Sequence, residues 1–141
     1  MVETDQMPLE RVMRIAEFRA DLRTFLRHSE QECRRWGLTP RRYLLLLSIK
    51  GAPNGEERQT FTELTDRMKL SKNAVTDLVA RAESVGLVWR EPSNDDRRVV
   101  YLRLTAEGER RLSGVLAATD SYRHDLSRAF QHLKATFPDA A

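Results

Sequence analysis

Only four residues, Met68-Lys69-Leu70-Ser71, separate two stretches of helical sequence. This short link constrains the fold more than any other feature of the chain. The stretch before it opens with capping-box spacing, Thr60 as N-cap and Glu63 three residues on. It turns Phe61, Leu64 and Met68 inward. The stretch after it takes Ser71 as its cap and Gly86 as its stop, and places Ala74, Val75, Leu78, Val79, Ala82 and Val85 on a buried side. Leu87 to Glu91 then reads as a strand, and Val99 to Leu104 as a second, alternating at Tyr101 and Arg103. Pro92-Ser93-Asn94-Asp95-Asp96-Arg97-Arg98 forms the polar tip between them.

The order helix, turn, helix, basic-tipped hairpin is that of a winged helix-turn-helix. The sequence on either side predicts more helix. Leu9, Val12, Met13, Ala16, Leu22, Phe25, Leu26, Cys33 and Trp36 follow helical steps, with Gly37 as a stop. Thr39-Pro40 starts another helix, whose run from Tyr43 to Leu47 is apolar almost all round and so is expected to be central and buried. Gly51 to Glu57 is a loop. Thr105 caps one long final helix carrying Leu112, Val115, Leu116, Tyr122, Leu126, Ala129, Phe130 and Leu133, with a bend expected near Gly114. The expected class is α+β, mainly α: a single domain over 1–141, with a winged helix-turn-helix over about 39–104. Terminal helices over about 9–36 and 106–137 flank it, and their apolar stripes suit dimerisation.

Composition excludes several classes. The chain has 141 residues, 40% hydrophobic and 32% charged, which is globular rather than disordered. No apolar run approaches the roughly 20 residues of a membrane span. The acidic start Met1-Val2-Glu3-Thr4-Asp5 lacks a signal-peptide core, so the expected location is cytoplasmic. A single cysteine, Cys33, leaves no internal disulfide, and three scattered histidines leave no metal spacing. No nucleophile–base pair or phosphate loop is visible, so the chain does not read as an enzyme, and no cofactor is expected. Net charge is +3, carried mostly by arginine, which suits bidentate contact with phosphate or guanine.

The chemistry points to double-stranded DNA. The major groove, about 12 Å wide, admits one helix, which needs an apolar face to hold it and a polar face to read bases. The helix after Ser71 supplies both, with Lys72, Asn73, Thr76, Asp77, Ala80 and Arg81 outward. Asn suits adenine, Lys suits guanine and Thr suits the thymine methyl. Thr60 and Thr62 stand at the start of the preceding helix, where amides meet phosphate. The wing can place an arginine in the minor groove.

These residues resemble the MarR family of bacterial regulators. The likeness runs through Gly37-Leu38-Thr39-Pro40, Phe61-Thr62-Glu63-Leu64, Leu70-Ser71-Lys72-Asn73-Ala74-Val75-Thr76, Gly86-Leu87-Val88-Trp89-Arg90, Asp96-Arg97-Arg98 and Leu104-Thr105-Ala106-Glu107-Gly108. The resemblance implies a homodimer built from both terminal helical regions, a pseudo-palindromic operator, and a small-molecule effector. It implies Arg98 as the wing-tip arginine, Asp96 as its brace, and Arg81 as a reading-helix arginine that the same aspartate pairs with. Repression is the commonest mode it implies, with release when an effector moves the heads from their spacing of about 34 Å.

Two departures stand out. Asp77 faces outward where the family commonly carries a base, and must either pair with Arg81 or accept from a cytosine. Asp95 adds a second acid at the wing tip, and from Arg58 to Arg103 nine basic and seven acidic residues leave only +2, so readout must carry more of the affinity. Alternatives are a winged helix that binds protein, and a thiol sensor at Cys33 beside Arg34 and Arg35. Arg97 reads as a phosphate contact. Phe25, His28, Trp36 and Tyr43 are the candidate effector-lining residues, with core packing as the competing reading.

Overall fold

The computed structural model describes residues 5–139. Its elements run α1 (Leu9–Arg35), α2 (Pro40–Lys50), β1 (Gln59–Thr60), α3 (Phe61–Met68), α4 (Lys72–Ser84), β2 (Val88–Pro92), β3 (Val100–Leu104), α5 (Ala106–Ala118) and α6 (Asp120–Lys134). Six helices with a small antiparallel sheet make the fold α+β and mainly helical. The described residues form two compact units. One runs Cys33–Leu116; the other holds the residues up to Glu32 and those from Ala117 on.

Local chemistry sets the element boundaries of the Cys33–Leu116 unit. Thr39, Thr60 and Ser71 each accept a backbone N–H at 3.1–3.2 Å, from Arg42, Glu63 and Ala74 respectively, and so cap α2, α3 and α4. Gly37 and Gly86 take positive φ of 68° and 74° just past helix ends, where a side chain would strain the backbone. Between α3 and α4, Lys69 adopts the left-handed conformation at φ 56°, which costs a non-glycine residue roughly 1 kcal/mol. That turn aims α4 away from α3.

The sheet has the order β1-β3-β2, all antiparallel. Register pairs Val88 with Leu104, Glu91 with Tyr101 and Gln59 with Leu102. Leu102 and Leu104 point inward and join Leu45, Leu46, Ile49, Leu64, Val75, Val79 and Leu87 in one core. Thr105 caps α5, accepting from Gly108 N at 3.1 Å. Gly108 sits so close to the Leu87 carbonyl oxygen that a β-carbon there would overlap it. A β-carbon at Gly114 would overlap the Trp36 indole in the same way. Both glycines, which weaken a helix by about 1 kcal/mol relative to alanine, are explained by close approach.

In the other unit α1 and α6 meet. Phe18 and Phe130 pack with rings tilted by 56° at 5.9 Å between centroids, and His28 stacks on Tyr122 at 3.8 Å. Glu17 reaches His132 at 3.1 Å.

Several expectations need correcting. The final helix is two helices, broken at Thr119 and not near Gly114: Thr119 has φ −104° and ψ 4°, outside the helical basin, and is fully buried. Gly114 stays helical, because its missing side chain serves packing rather than bending. A third strand, Gln59–Thr60, pairs with β3, so the wing root has three strands rather than two. β2 sits one residue later than expected, and β3 starts one residue later but ends at Leu104 as expected, with Pro92 paired to Val100. Val85 is exposed rather than buried, because the last turn of α4 runs past the core edge to Gly86. Leu44 is likewise exposed, so α2 is buried around most of its girth rather than all of it.

Candidate nucleic-acid interface

Helix α4 presents the expected polar face. Lys72, Asn73, Thr76, Asp77, Ala80 and Arg81 are all exposed, while Val75, Val79 and Ala82 are buried on the opposite side. The Thr76 hydroxyl donates to the Lys72 carbonyl oxygen at 2.9 Å, which spends its proton and leaves its methyl as the outward-facing group. Asp77 and Arg81 pair across one turn at 3.2 Å, both side chains about two-thirds exposed. This is one of the two arrangements that an outward carboxylate on this face requires. The pairing anticipated between Arg81 and Asp96 is replaced, among the described residues, by the one with Asp77.

Thr60 and Ser71 use an oxygen lone pair to cap their helices, and a hydroxyl can still donate its proton. Thr62 is exposed in the first turn of α3, beside the amides of its N-terminus.

Ser93 and Asp96 build the wing tip. The Ser93 hydroxyl accepts from the amides of Asp95 and Asp96 at 3.2 and 3.3 Å. Asp96 Oδ1 accepts from the Arg98 backbone N–H at 3.0 Å and from its Nε at 3.4 Å. Asp96 therefore fixes the turn and braces the arginine together. The Arg98 side chain is 91% exposed, and Arg97 is exposed beside it.

Below the tip, residues that sequence reasoning did not single out form a charged cluster. On the face of the sheet away from the core, the Glu91 carboxylate accepts from Arg58 Nη1 at 2.9 Å and, in a short contact, from Arg103 Nε. Arg58 also lies over the Tyr101 ring at 3.8 Å, and Arg103 donates to the Glu56 carbonyl at 3.0 Å. The two guanidinium groups, Arg103 first, hold the Glu91 carboxyl below the ordinary carboxylate range. Only the strand register brings these residues together. Period-two alternation places each on the outer face but gives no partner.

The remaining candidates separate. Phe25, under the Arg123 guanidinium at 5.8 Å, and His28 lie in one unit; Trp36 and Tyr43 lie in the other. Cys33 is 1% exposed within the core. Among the described residues no cluster of His, Cys, Asp or Glu is placed to hold a metal ion, and no helix is long and apolar enough to cross a membrane.

With this geometry in place, comparison with known proteins is direct. A sequence model described as the MarR family matches residues 36–99. The transcriptional regulator HosA of Escherichia coli is 31% identical over 97 residues, covering 65% of this chain and 69% of HosA. The chain belongs to the MarR family. The HTH-type transcriptional repressor MdtR of Bacillus subtilis (strain 168) is 36% identical over 81 residues, 57% of this chain; the chain spans about half of MdtR, 50%. Among solved structures, reduced AbfR bound to DNA superposes with a TM-score of 0.57 at 28% identity, covering 81% of this chain and 80% of AbfR. The family stretch contains α2 through the wing tip, so α4, Asp96 and Arg98 all lie within it.

Proposed function

We propose that this chain is a homodimeric, sequence-specific binder of double-stranded DNA that represses transcription. Helix α4 enters the major groove, Arg98 enters the adjacent minor groove, and Thr60, Thr62, Ser71 and Arg97 contact phosphate. One observation carries the reading. The six outward residues of α4 and a 91% exposed arginine on a braced wing belong to one compact unit. A solvated helix surface alone would not come with a hairpin whose tip arginine an aspartate braces. The DNA in the AbfR complex and the repressor role of MdtR support the same reading by likeness.

The terminal helices are the dimerisation elements in this proposal. Eight of the eleven exposed large hydrophobic side chains among the described residues, among them Leu9, Met13, Leu26 and Phe130, lie in the unit that α1 and α6 form. Surface of that kind calls for a partner. A small-molecule effector that lowers DNA affinity completes the proposal. Thiol sensing is not favoured, because Cys33 packs in the core as a small hydrophobe.

The test is selection from a random-sequence duplex pool with the purified chain. A recovered inverted repeat, bound by two chains per duplex, is the expected result. Recovery of no common sequence would overturn the reading.

A further inference from the structure

The wing has two sets of cations with different surroundings. At the tip, Arg98 is 91% exposed and, among the described residues, is held by Asp96. At the root, Arg58 and Arg103 are about three-quarters buried and share one carboxylate, Glu91. Glu91 stands on β2, Arg103 on β3, and Arg58 immediately before β1. One acidic side chain therefore ties all three strands on the outer sheet face. The same face also carries the Arg58 guanidinium over the Tyr101 ring and the Arg103 bond to the Glu56 carbonyl, and β2 and β3 pair along five residues. β1 contributes just two residues to the ladder, and the hairpin above Pro92 and Val100 is closed by a single backbone bond from Ser93 N to Val99 O at 3.1 Å, apart from its own turn.

We infer that Glu91 is a positioning residue for DNA binding, clamping the wing root so that Arg98 is presented at a fixed angle. The inference rests on the proposed role of the wing. Glu91 itself touches no DNA. Electrostatics alone argues the opposite outcome for its neutralisation: removing a negative charge near the tip, and loosening Arg103 while Arg58 keeps its pair with Glu56, would tighten binding to any duplex and steepen its salt dependence. The clamp instead predicts weaker binding with an unchanged salt slope, because fixed geometry is lost while the number of phosphate contacts is not.

The experiment uses the full chain with Glu91→Gln, which keeps the side-chain shape, alone and combined with Arg98→Ala. The probe is the duplex selected by the wild-type chain, titrated at several salt concentrations. Hydrogen exchange is followed in the free proteins. Glu91→Gln is expected to weaken binding about three- to tenfold, as for groups in one coupled network. Its effect should disappear in the Arg98→Ala background. Amides of the hairpin from Ser93 to Val100 should exchange faster while those of α2 do not. Tighter or unchanged binding, an equal loss in both backgrounds, or unchanged hairpin exchange would each overturn the clamp. If Arg98→Ala alone leaves affinity unchanged, the wing's role in DNA binding fails. The exchange measurement still decides whether Glu91 holds the hairpin. Glu91→Asp, one methylene too short to reach both arginines, should behave as Glu91→Gln; full rescue by Asp would also overturn the inference.

Discussion

Arg98 and Asp77 bring opposite charges to one surface, and their removal has different expected consequences. Arg98→Ala removes a contact without touching the core, since its side chain is 91% exposed. Specific DNA binding should weaken by about 1–3 kcal/mol with thermal unfolding unchanged. Titration on the selected duplex, beside a melting curve, checks both halves. Asp77 repels phosphate, yet it holds the Arg81 guanidinium at 3.2 Å. So exposed a pair contributes at most a few tenths of a kcal/mol to stability. Its value lies in where it leaves Arg81. Asp77→Ala should lower the affinity ratio between selected and scrambled duplexes. A ratio that stays constant while both affinities rise would assign Asp77 no role in readout.

At the scale of elements, the start of α5 is both tightly packed and charged. Gly108→Ala would push a β-carbon into the Leu87 carbonyl oxygen, between the end of α4 and β2. The backbone must shift, and chemical denaturation should show a loss of about 1–3 kcal/mol, whereas an ordinary helical Gly→Ala change stabilises. One position earlier, Glu107 accepts from Arg110 and Arg111, and these guanidinium groups, Arg110 foremost, lower its carboxyl from 4.5 to about 2. A carboxyl depressed on folding contributes stability above its unfolded value. That contribution is lost as pH falls from 4.5 toward about 2. The stability gap between wild type and Glu107→Gln should therefore be present at pH 6 and close across that window. A gap independent of pH would contradict the ion pairing.

How well each element could be read from sequence follows from how local its cause is. The caps at Thr39, Thr60, Ser71 and Thr105, the stop at Gly86, and all six outward residues of α4 depend on neighbours within one turn, and periodicity exposes them. β1 has only two residues, too few for any alternation to register. The break at Thr119 carries no proline, glycine or side-chain cap bond, so nothing local announces it. The Arg58–Glu91–Arg103 cluster depends on strand register across 33 and 12 residues of chain, which no local pattern encodes. Val85 continues the apolar stripe of α4 but lies beyond the surface that the stripe covers.

In the whole molecule, the apolar surface and the proposed reading surface belong to different units. The unit of α1 and α6 leaves Leu9 73%, Met13 61% and Leu26 52% exposed, so a lone chain would carry an apolar surface into water. Sedimentation at micromolar concentration should give one species near twice the 16.3 kDa chain mass; a stable monomer would contradict the dimer. In the proposed function the winged unit supplies recognition, with only a modest excess of positive charge around it. Affinity must then come from fit to particular bases more than from attraction to any phosphate backbone. The most direct measurement compares the affinity of the purified chain for its selected duplex and for a scrambled duplex of equal length, across a range of salt. The account predicts discrimination of at least about a thousandfold, persisting as salt rises while both affinities fall. Equal affinity for the two duplexes at every salt concentration would contradict it.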